Sequence, residues 1–322
     1  MALTRRRFIA GMVAVTGSST FAINPAYSQQ SQLIHLIVGN GPGSPPDVRF
    51  RELAGLMSKS LGQQIIVINK PGAGGILASR EVERAKPDGH TILALSVNHL
   101  IKDIREPEGA PFLDRFDLVT SISASPLILF INSNLPIKNF KEFVAYARAN
   151  PKKLSYGTGG PESVEHVFGK RLFSSLGIEL TEVPYPVATR AIVDVLGGNV
   201  SCGFGYLVTI GQHIGEGQNK LRTLGVGASQ RLDAAPDIPT FAEQGADAPL
   251  LNAWQGLAVR KGTPQAFISK LQTSAAGALQ DADLRKRWLS EGSILGGEQS
   301  DTYSQFVRSQ RQILAQIVNK QS

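Results

Sequence analysis

The chain is nearly free of cysteine: Cys202 is the only one among 322 residues. A single thiol forms no intramolecular disulfide, so the sequence excludes a disulfide-rich scaffold. We expect Cys202 to be a small buried hydrophobe, the usual state of a structural cysteine. Charged residues are also few, at 18%, against 42% hydrophobic residues. This balance excludes an intrinsically disordered chain and gives enough apolar surface for two domains.

The sequence also lacks the local signatures of a metal site and of nucleophilic catalysis. No histidine pair has H-x₃-H or H-E-x-x-H spacing, and there is no G-x-S-x-G elbow. The five histidines are scattered at His35, His90, His99, His166 and His213. We therefore predict no metal, no cofactor and no enzyme activity, although a triad assembled from distant residues stays open.

The first 28 residues have the pattern of an export signal. Three arginines at 5–7 precede a weakly apolar stretch, and A-Y-S at 26–28 forms a small-x-small cleavage site. The stretch T-R-R-R-F-I at 4–9 fits the twin-arginine pattern, while general secretory export stays open. The apolar part is too short and too rich in Gly, Ser and Thr for a membrane anchor, which needs about 20 residues. We predict a cleaved signal peptide over 1–28 and a soluble periplasmic product.

The charge of the chain is mildly basic. Removing Arg5, Arg6 and Arg7, the three charged residues of the signal, lowers the formal net charge from +7 to +4. No Lys/Arg tract is typical of a nucleic-acid surface, so we predict no nucleic-acid partner. A weakly positive protein slightly favours anionic small molecules.

Apolar runs alternate with helical patterns along the chain. The runs at 33–38, 63–69 and 91–95 predict strands, and the segments between them predict helices. Strand, helix, strand at this spacing indicates parallel crossovers and an α/β fold. Further on, the pattern predicts an irregular segment over 100–120 and a helix over 135–151.

The C-terminal region, from about residue 264, predicts two helices with a break at 291–299.

Two glycine-rich loops each lie between a predicted strand and a predicted helix: GNGPGSPPD at 39–47 and TGGPES at 158–163. A helix N-terminus leaves about four N–H groups unpaired and carries about half a positive charge. Glycine allows close approach of an anion to these donors. We therefore hypothesise that the loops present amides to a carboxylate. The alternative that they are ordinary strand-to-helix turns stays open.

Nucleotide binding is a poorer interpretation of these loops. The sequence has no G-x-x-x-x-G-K-[ST], and the stretch GNGPGS places Ser44 where a dinucleotide fingerprint needs its third glycine.

Short motifs occur in one order along almost the whole chain after the signal. They are PGSPPD at 42–47 with Arg51, NKPGAGG at 69–75, PDGHT at 87–91, YGTGGPESVEH at 156–166, VPY at 183–185, DVLGG at 194–198, PDIPTFAEQG at 236–245, and WQGL with a following GTP at 254–264. Together they resemble the periplasmic substrate-binding proteins of tripartite tricarboxylate transporters, the Bug family.

The resemblance implies an α/β, two-lobed type II periplasmic-binding-protein fold, in which each lobe is a mostly parallel sheet flanked by helices. We expect lobe 1 at 29–128 plus 252–322 and lobe 2 at 129–251. The crossing strands near 125–132 and 253–259 would act as the hinge.

The same resemblance implies a small organic carboxylate as ligand and the large and small permease subunits of the transporter as partners of a monomeric receptor. One alternative is a sensor that presents the ligand to a signalling receptor. A less favoured alternative is a periplasmic enzyme. Asp47 is expected to order its loop rather than touch an anion. The ligand-binding candidates are Gly43, Ser44, Asp47, Ser96, Thr158, Gly159, Gly160, Ser163, His166, Tyr185, Gly205 and Tyr206.

The chain departs from the family pattern near the expected cleft. Pro186 and Val187 stand where K-G is usual, Gly205 stands for Asp, and Arg190 stands where Pro is expected. Because a lysine and an aspartate are lost, we expect a less polar acid, with Arg190 supplying a compensating charge.

Overall fold

A computed structural model gives the fold of most of the chain after the export signal. The predicted signal peptide at 1–28 and Val187 lie outside the described residues, which are 33–105, 110–161, 163–186, 189–214, 220–248 and 251–319.

Strands and helices alternate through the described ranges. The strands are β1 Ile34–Val38, β2 Ile65–Asn69, β3 Thr91–Ser96, β4 Phe116–Pro126, β5 Ile128–Asn132, β6 Ser155–Thr158, β7 Thr181–Pro184, β8 Cys202–Gly205, β9 Leu221–Val226, β10 Asn252–Arg260 and β11 Ile294–Leu295. The α-helices are α1 Pro45–Leu61, α2 Ile76–Arg84, α3 Val97–Arg105, α4 Phe112–Arg115, α5 Phe140–Ala149, α6 Val164–Ser175, α7 Arg190–Leu196, α8 Leu207–Ile210, α9 Gln265–Ala278, α10 Ala282–Ser290 and α11 Ser300–Asn319.

The strands form two sheets. The first has the order β11-β4-β10-β3-β1-β2, in which β1 is parallel to both β2 and β3 while β10 is antiparallel to β3 and β4. The second has the order β7-β6-β8-β5-β9, with β6 parallel to β7 and β8, and β5 antiparallel to β8 and β9. The expected α/β class with parallel β1, β2 and β3 is confirmed, but both sheets are mixed rather than mostly parallel, because β10 and β5 insert antiparallel to their neighbours.

The chain passes between the sheets through short and long connections. A single residue, Leu127, separates β4 in the first sheet from β5 in the second. The return runs from the end of β9 to the start of β10, and near its start the Gly227 amide donates to the Leu127 carbonyl at 2.8 Å. The two connections are therefore joined by a hydrogen bond where they pass each other.

Helix α1 illustrates how the sequence builds these layers. Its apolar face, Phe50, Leu53, Ala54, Met57 and Leu61, is the face predicted from the sequence, and all five side chains are buried. Burying such a side chain stabilises the fold by roughly 1.5–3 kcal/mol for the larger ones. The helix ends at Gly62, whose φ of 64° is the left-handed cap that glycine adopts without strain.

Three predictions about secondary structure are wrong in part. The segment expected to be irregular holds α3, α4 and the first half of β4, although 106–109 lie outside the described residues. The helix expected over 135–151 is shorter, because Asn139 accepts the Glu142 amide and starts α5 at Phe140. Beyond residue 264 there are three helices rather than two, because Asp281 caps α10 and separates it from α9.

Candidate ligand-binding site

A cavity of about 230 Å³ lies between the carboxyl-end loops of the two sheets. Elements of the first sheet contribute the start of α1, the β3–α3 junction, Ser125 of β4 and the start of β10. Elements of the second contribute the start of α6 and the β8–α8 junction. The lining residues are Asn40, Ser44, Pro45, Pro46, Arg49, Ser96, Val97, Asn98, Ser125, Val164, Glu165, Thr189, Tyr206, Val208, Thr209, Ala253, Trp254 and Gln255.

Three of the twelve ligand-binding candidates line this cavity: Ser44, Ser96 and Tyr206. The other nine lie close to it in sequence but not on its wall. They are Gly43, Asp47, Thr158, Gly159, Gly160, Ser163, His166, Tyr185 and Gly205.

The first glycine-rich loop is held by its own hydrogen bonds. The Gly43 amide donates to the Asp47 carboxylate at 2.9 Å, and the Ser44 amide donates to the Gly41 carbonyl. Asp47 also accepts from Arg51 and Asn69. These bonds are consistent with an ordering role for Asp47. The amides of Gly43 and Ser44, which the sequence hypothesis gave to the ligand, are paired within the loop.

Two opposed effects act on the pKa of the Asp47 carboxyl. Burial favours the neutral acid, but the hydrogen bonds from Arg51, Asn69 and the Gly43 amide outweigh it, so the pKa of Asp47 is lowered. The loop is therefore held by a carboxylate that stays ionised at neutral pH.

The second glycine-rich loop is also tied internally. The Gly160 amide donates to the Thr158 hydroxyl at 3.1 Å, and the Ser163 hydroxyl accepts the His166 amide as the N-cap of α6. The hydroxyl of Thr158 donates to Glu182 at 2.7 Å, and His166 Nδ1 lies 2.6 Å from the same oxygen. Burial opposes the charge of Glu182, yet these hydrogen bonds lower its pKa. Two candidates of this loop, Thr158 and His166, thus bind Glu182.

Tyr185 and Gly205 have structural partners as well. The Tyr185 hydroxyl donates to Asp194 at 2.5 Å, and burial together with that carboxylate raises the pKa of Tyr185 to about 12. A side chain at Gly205 would meet Ile210 at 2.8 Å.

Arg49 supplies the guanidinium of the cavity wall, and sequence reasoning missed it. Its side chain is 9% exposed and donates to Glu291 at 2.9 Å and to Ser125 at 3.4 Å. The guanidinium also lies 5.2 Å from the centroid of the Trp288 ring. The spacing from Pro45 is a signal that could have found it, because residues four apart share a helical face and Pro45 opens α1 at the loop.

Glu165 supplies the carboxylate of the opposite wall, and it too was missed. It is 6% exposed and accepts from the Tyr206 hydroxyl at 2.9 Å. Burial raises the pKa of Glu165, against the lowering effect of its own amide and of the Tyr206 and Ser163 hydroxyls. Lying in the first turn of α6, this carboxylate occupies the helix end where the sequence hypothesis placed the ligand's charge.

Two neighbouring residues of β10 bring polar atoms that lack a partner among the described residues. The indole Nε1 of Trp254 and the side-chain Oε1 of Gln255 are buried without a hydrogen bond. Buried polar groups are rarely left unpaired, so such atoms at a cavity wall are candidates for contact with a bound molecule.

Ser96, at the end of β3, is held by His99. The Ser96 amide donates to His99 Nδ1 at 3.2 Å, and the Ser96 hydroxyl lies 3.0 Å from the same nitrogen. Burial lowers the pKa of His99 to about 4, so the ring is neutral at physiological pH. The imidazole therefore positions the strand end as a hydrogen-bond acceptor.

Within the described ranges, no group of three or more His, Cys, Asp or Glu is placed to hold a metal ion. No helix in the same part of the chain combines the length and apolar character needed to cross a membrane.

Two sheets with one cleft between their loops define the class of two-lobed α/β solute-binding receptors. A family model described as "Tripartite tricarboxylate transporter family receptor" matches residues 49–322, and the chain belongs to that family. The expected Bug-family relationship is confirmed: the protein BugT of Bordetella pertussis is 27% identical over 314 residues, covering 97% of this chain and 93% of its own.

Solved structures agree with the fold. A periplasmic transporter is 32% identical with a TM-score of 0.80, covering 91% of this chain and 98% of its own. MatC from Rhodopseudomonas palustris, solved with bound malate, is 26% identical with a TM-score of 0.76, covering 89% and 98%. The expectation of a type II periplasmic-binding fold is thereby confirmed.

Proposed function

We propose that this protein is a periplasmic receptor that captures a small organic acid in the cavity between its two lobes and delivers it to the large and small permease subunits of a tripartite transporter. The observation that carries the proposal is a cavity lined from both sheets, with Arg49 on its wall. Family membership and the malate bound by MatC, a relative of 26% identity, support an acid as ligand. The receptor makes and breaks no covalent bond and acts as a monomer.

The two lobes are proposed as 29–128 with 252–322, and 129–251. The division is supported by the change of sheet between Pro126 and Ile128 and by the return before Asn252. Closure requires that the ligand contact the closed state more than the open one. A cavity whose walls come from both lobes meets this requirement, with the connections at Leu127 and Gly227 as hinge.

The test is a thermal-shift screen of organic acids on the mature chain, followed by small-angle scattering with the tightest binder. A ligand at about 100 times its Kd adds roughly 2.7 kcal/mol to the free energy of unfolding. We expect at least one mono- or dicarboxylate to bind and the radius of gyration to fall. Failure of every carboxylate to bind, or unchanged scattering with a tight binder, would contradict the proposal.

A matched pair of variants separates the cavity from general effects of charge. Arg49→Gln removes the guanidinium of the wall and should abolish binding. Arg231→Gln breaks an exposed ion pair with Glu243 and a hydrogen bond to the Pro236 carbonyl, neither of them at the cavity, and should bind normally. Circular dichroism checks that both variants are folded.

A further inference from the structure

The cavity has an acidic wall as well as a basic one. Glu165 lies at the start of α6, is 94% buried by the surrounding protein, and faces a cavity that the family resemblance assigns to anions. One of its oxygens accepts the Tyr206 hydroxyl at 2.9 Å. Burial raises the pKa of Glu165, whereas the helix end and the hydroxyl favour its ionised form, and a ligand ammonium beside it would favour that form further.

The charges on the two walls do not balance. Arg49, on the other wall, already forms an ion pair with Glu291 at 2.9 Å. Among the residues that the structure describes, no Lys, Arg or His forms an ion pair with Glu165; the nearby His166 is turned to Glu182. A second carboxylate from a ligand would therefore meet a buried acidic side chain, and like charges brought together at an interface are disfavoured.

An unpaired acceptor points to the same ligand chemistry. Gln255 lines this cavity, and its Oε1 is buried with no hydrogen-bond donor among the described residues. Trp254 Nε1, beside it in sequence, is a buried donor without an acceptor among those residues. Residues of the cavity wall thus carry a guanidinium and an indole N–H, which suit an anion, and a carboxylate and an amide oxygen, which suit a donor group.

We propose that Glu165 is a specificity-determining residue, which makes this receptor select an acid carrying an ammonium group over a dicarboxylate. This inference rests on the proposed function as an organic-acid receptor. The ligand's carboxylate faces Arg49, and its ammonium pairs with Glu165. Pairing offsets the unfavourable burial of both charges, whereas a dicarboxylate brings a repulsive contact, so discrimination has an attractive and a repulsive part.

The test is calorimetric titration with length-matched pairs that differ only in one terminal group: β-alanine with succinate, 4-aminobutyrate with glutarate, and 5-aminopentanoate with adipate. We expect the wild type to bind at least one amino acid about tenfold or more tightly than its dicarboxylate partner. The Glu165→Gln variant, which keeps the shape and loses the charge, should lose or reverse that preference by a similar factor.

A surface variant guards against indirect effects of removing a charge. Glu179→Gln, at an exposed ion pair with Lys152 away from the cavity, should match the wild type. Wild-type preference for the dicarboxylates, absence of binding by all three amino acids, or an unchanged preference in Glu165→Gln would each overturn the inference. Dicarboxylate binding in those cases would leave the proposed receptor function standing.

Discussion

Asn69 Nδ2 donates to Asp47 Oδ1 at 2.8 Å, and so joins the end of β2 to the glycine-rich loop before α1. The same amide group donates to the Asn40 carbonyl at 2.9 Å. Two motifs that lie 22 positions apart in the sequence therefore form one unit, which includes Asn40 of the cavity wall. Asp47 is 2% exposed and holds this unit together.

Replacing Asp47 should destabilise the protein and weaken ligand binding. Asp47→Ala removes the acceptor of the Gly43 amide and one of the two acceptors of the Asn69 side chain, and each lost hydrogen bond costs about 0.5–1.5 kcal/mol. We expect the free energy of unfolding in urea to fall by about 2 kcal/mol and the loop to lose its order. Asp233→Ala, at an exposed position, should change it by less than about 0.5 kcal/mol. Equal effects in the two variants would contradict the role given to Asp47.

His99 should make stability depend on pH between about 6.5 and 4. Its pKa is about 4 in the folded protein and 6.5 ordinarily. The unfolded chain therefore takes up a proton first as pH falls, so stability is full above pH 6.5 and is lost on the way to pH 4. The loss from this group should be roughly 3 kcal/mol.

The check on His99 is a comparison of urea denaturation across this pH range. His99→Asn keeps an acceptor near the Ser96 amide but does not titrate. The difference in free energy of unfolding between wild type and variant should shrink as pH falls. A difference that stays constant from pH 6.5 to pH 4 would show that another group carries the titration.

Gly256 in β10 should not tolerate even a methyl group. A Cβ there would lie 2.0 Å from the Tyr303 hydroxyl and 2.7 Å from the Thr120 backbone carbonyl. Gly256→Ala should therefore lower the free energy of unfolding by about 1–3 kcal/mol or more. Gly277→Ala is the matched control: it is an exposed helical glycine with open space around it, and should raise stability by about 0.5–1 kcal/mol. Thermal unfolding of both variants gives the comparison.

Cys202 should react with thiol reagents only when the protein unfolds. The side chain is fully buried, its Sγ donates to the Ser155 carbonyl at 3.3 Å, and burial raises the pKa of the thiol. Since the thiolate is the reactive species, labelling in native buffer should follow the rate of opening. Ser229→Cys in a Cys202→Ala background places the thiol on the surface and should label at once. Rapid native labelling of the wild type would contradict this burial.

The sequence predicted the architecture better than the site. Local apolar periodicity is enough to find α1 and the parallel β1, β2 and β3, because burial sets both the pattern and the fold. Periodicity did not predict β4, because this strand contains serines and threonines at 120–125. Residues that are distant in the sequence supply their partners, as Glu298 does for Thr120. For the same reason, the sequence did not predict that β10 pairs antiparallel with strands that lie more than a hundred residues earlier in the chain.

At the candidate site, the sequence predicted that each loop lies between a strand and a helix, as the structure has it, but it did not predict the partners of the loop amides. Backbone amides are counted as free at the sequence level, whereas here side chains such as Asp47 and Thr158 already bind them. The charged wall residues Arg49 and Glu165 were missed because each lies inside a helical pattern, where an ion is ordinarily solvated. Only the approach of the two lobes turns these two residues toward a common space.

The place of β10 between β3 and β4 has a consequence for synthesis. A nascent chain that has reached Pro126 contains four strands of the first sheet, yet β3 and β4 have no hydrogen-bonded contact until residues 252–260 emerge. The second sheet, from Ile128 to Val226, is contiguous in the chain and can assemble earlier. The sheet whose first strands are translated first is therefore completed last, and the edges of β3 and β4 stay unpaired until β10 is made.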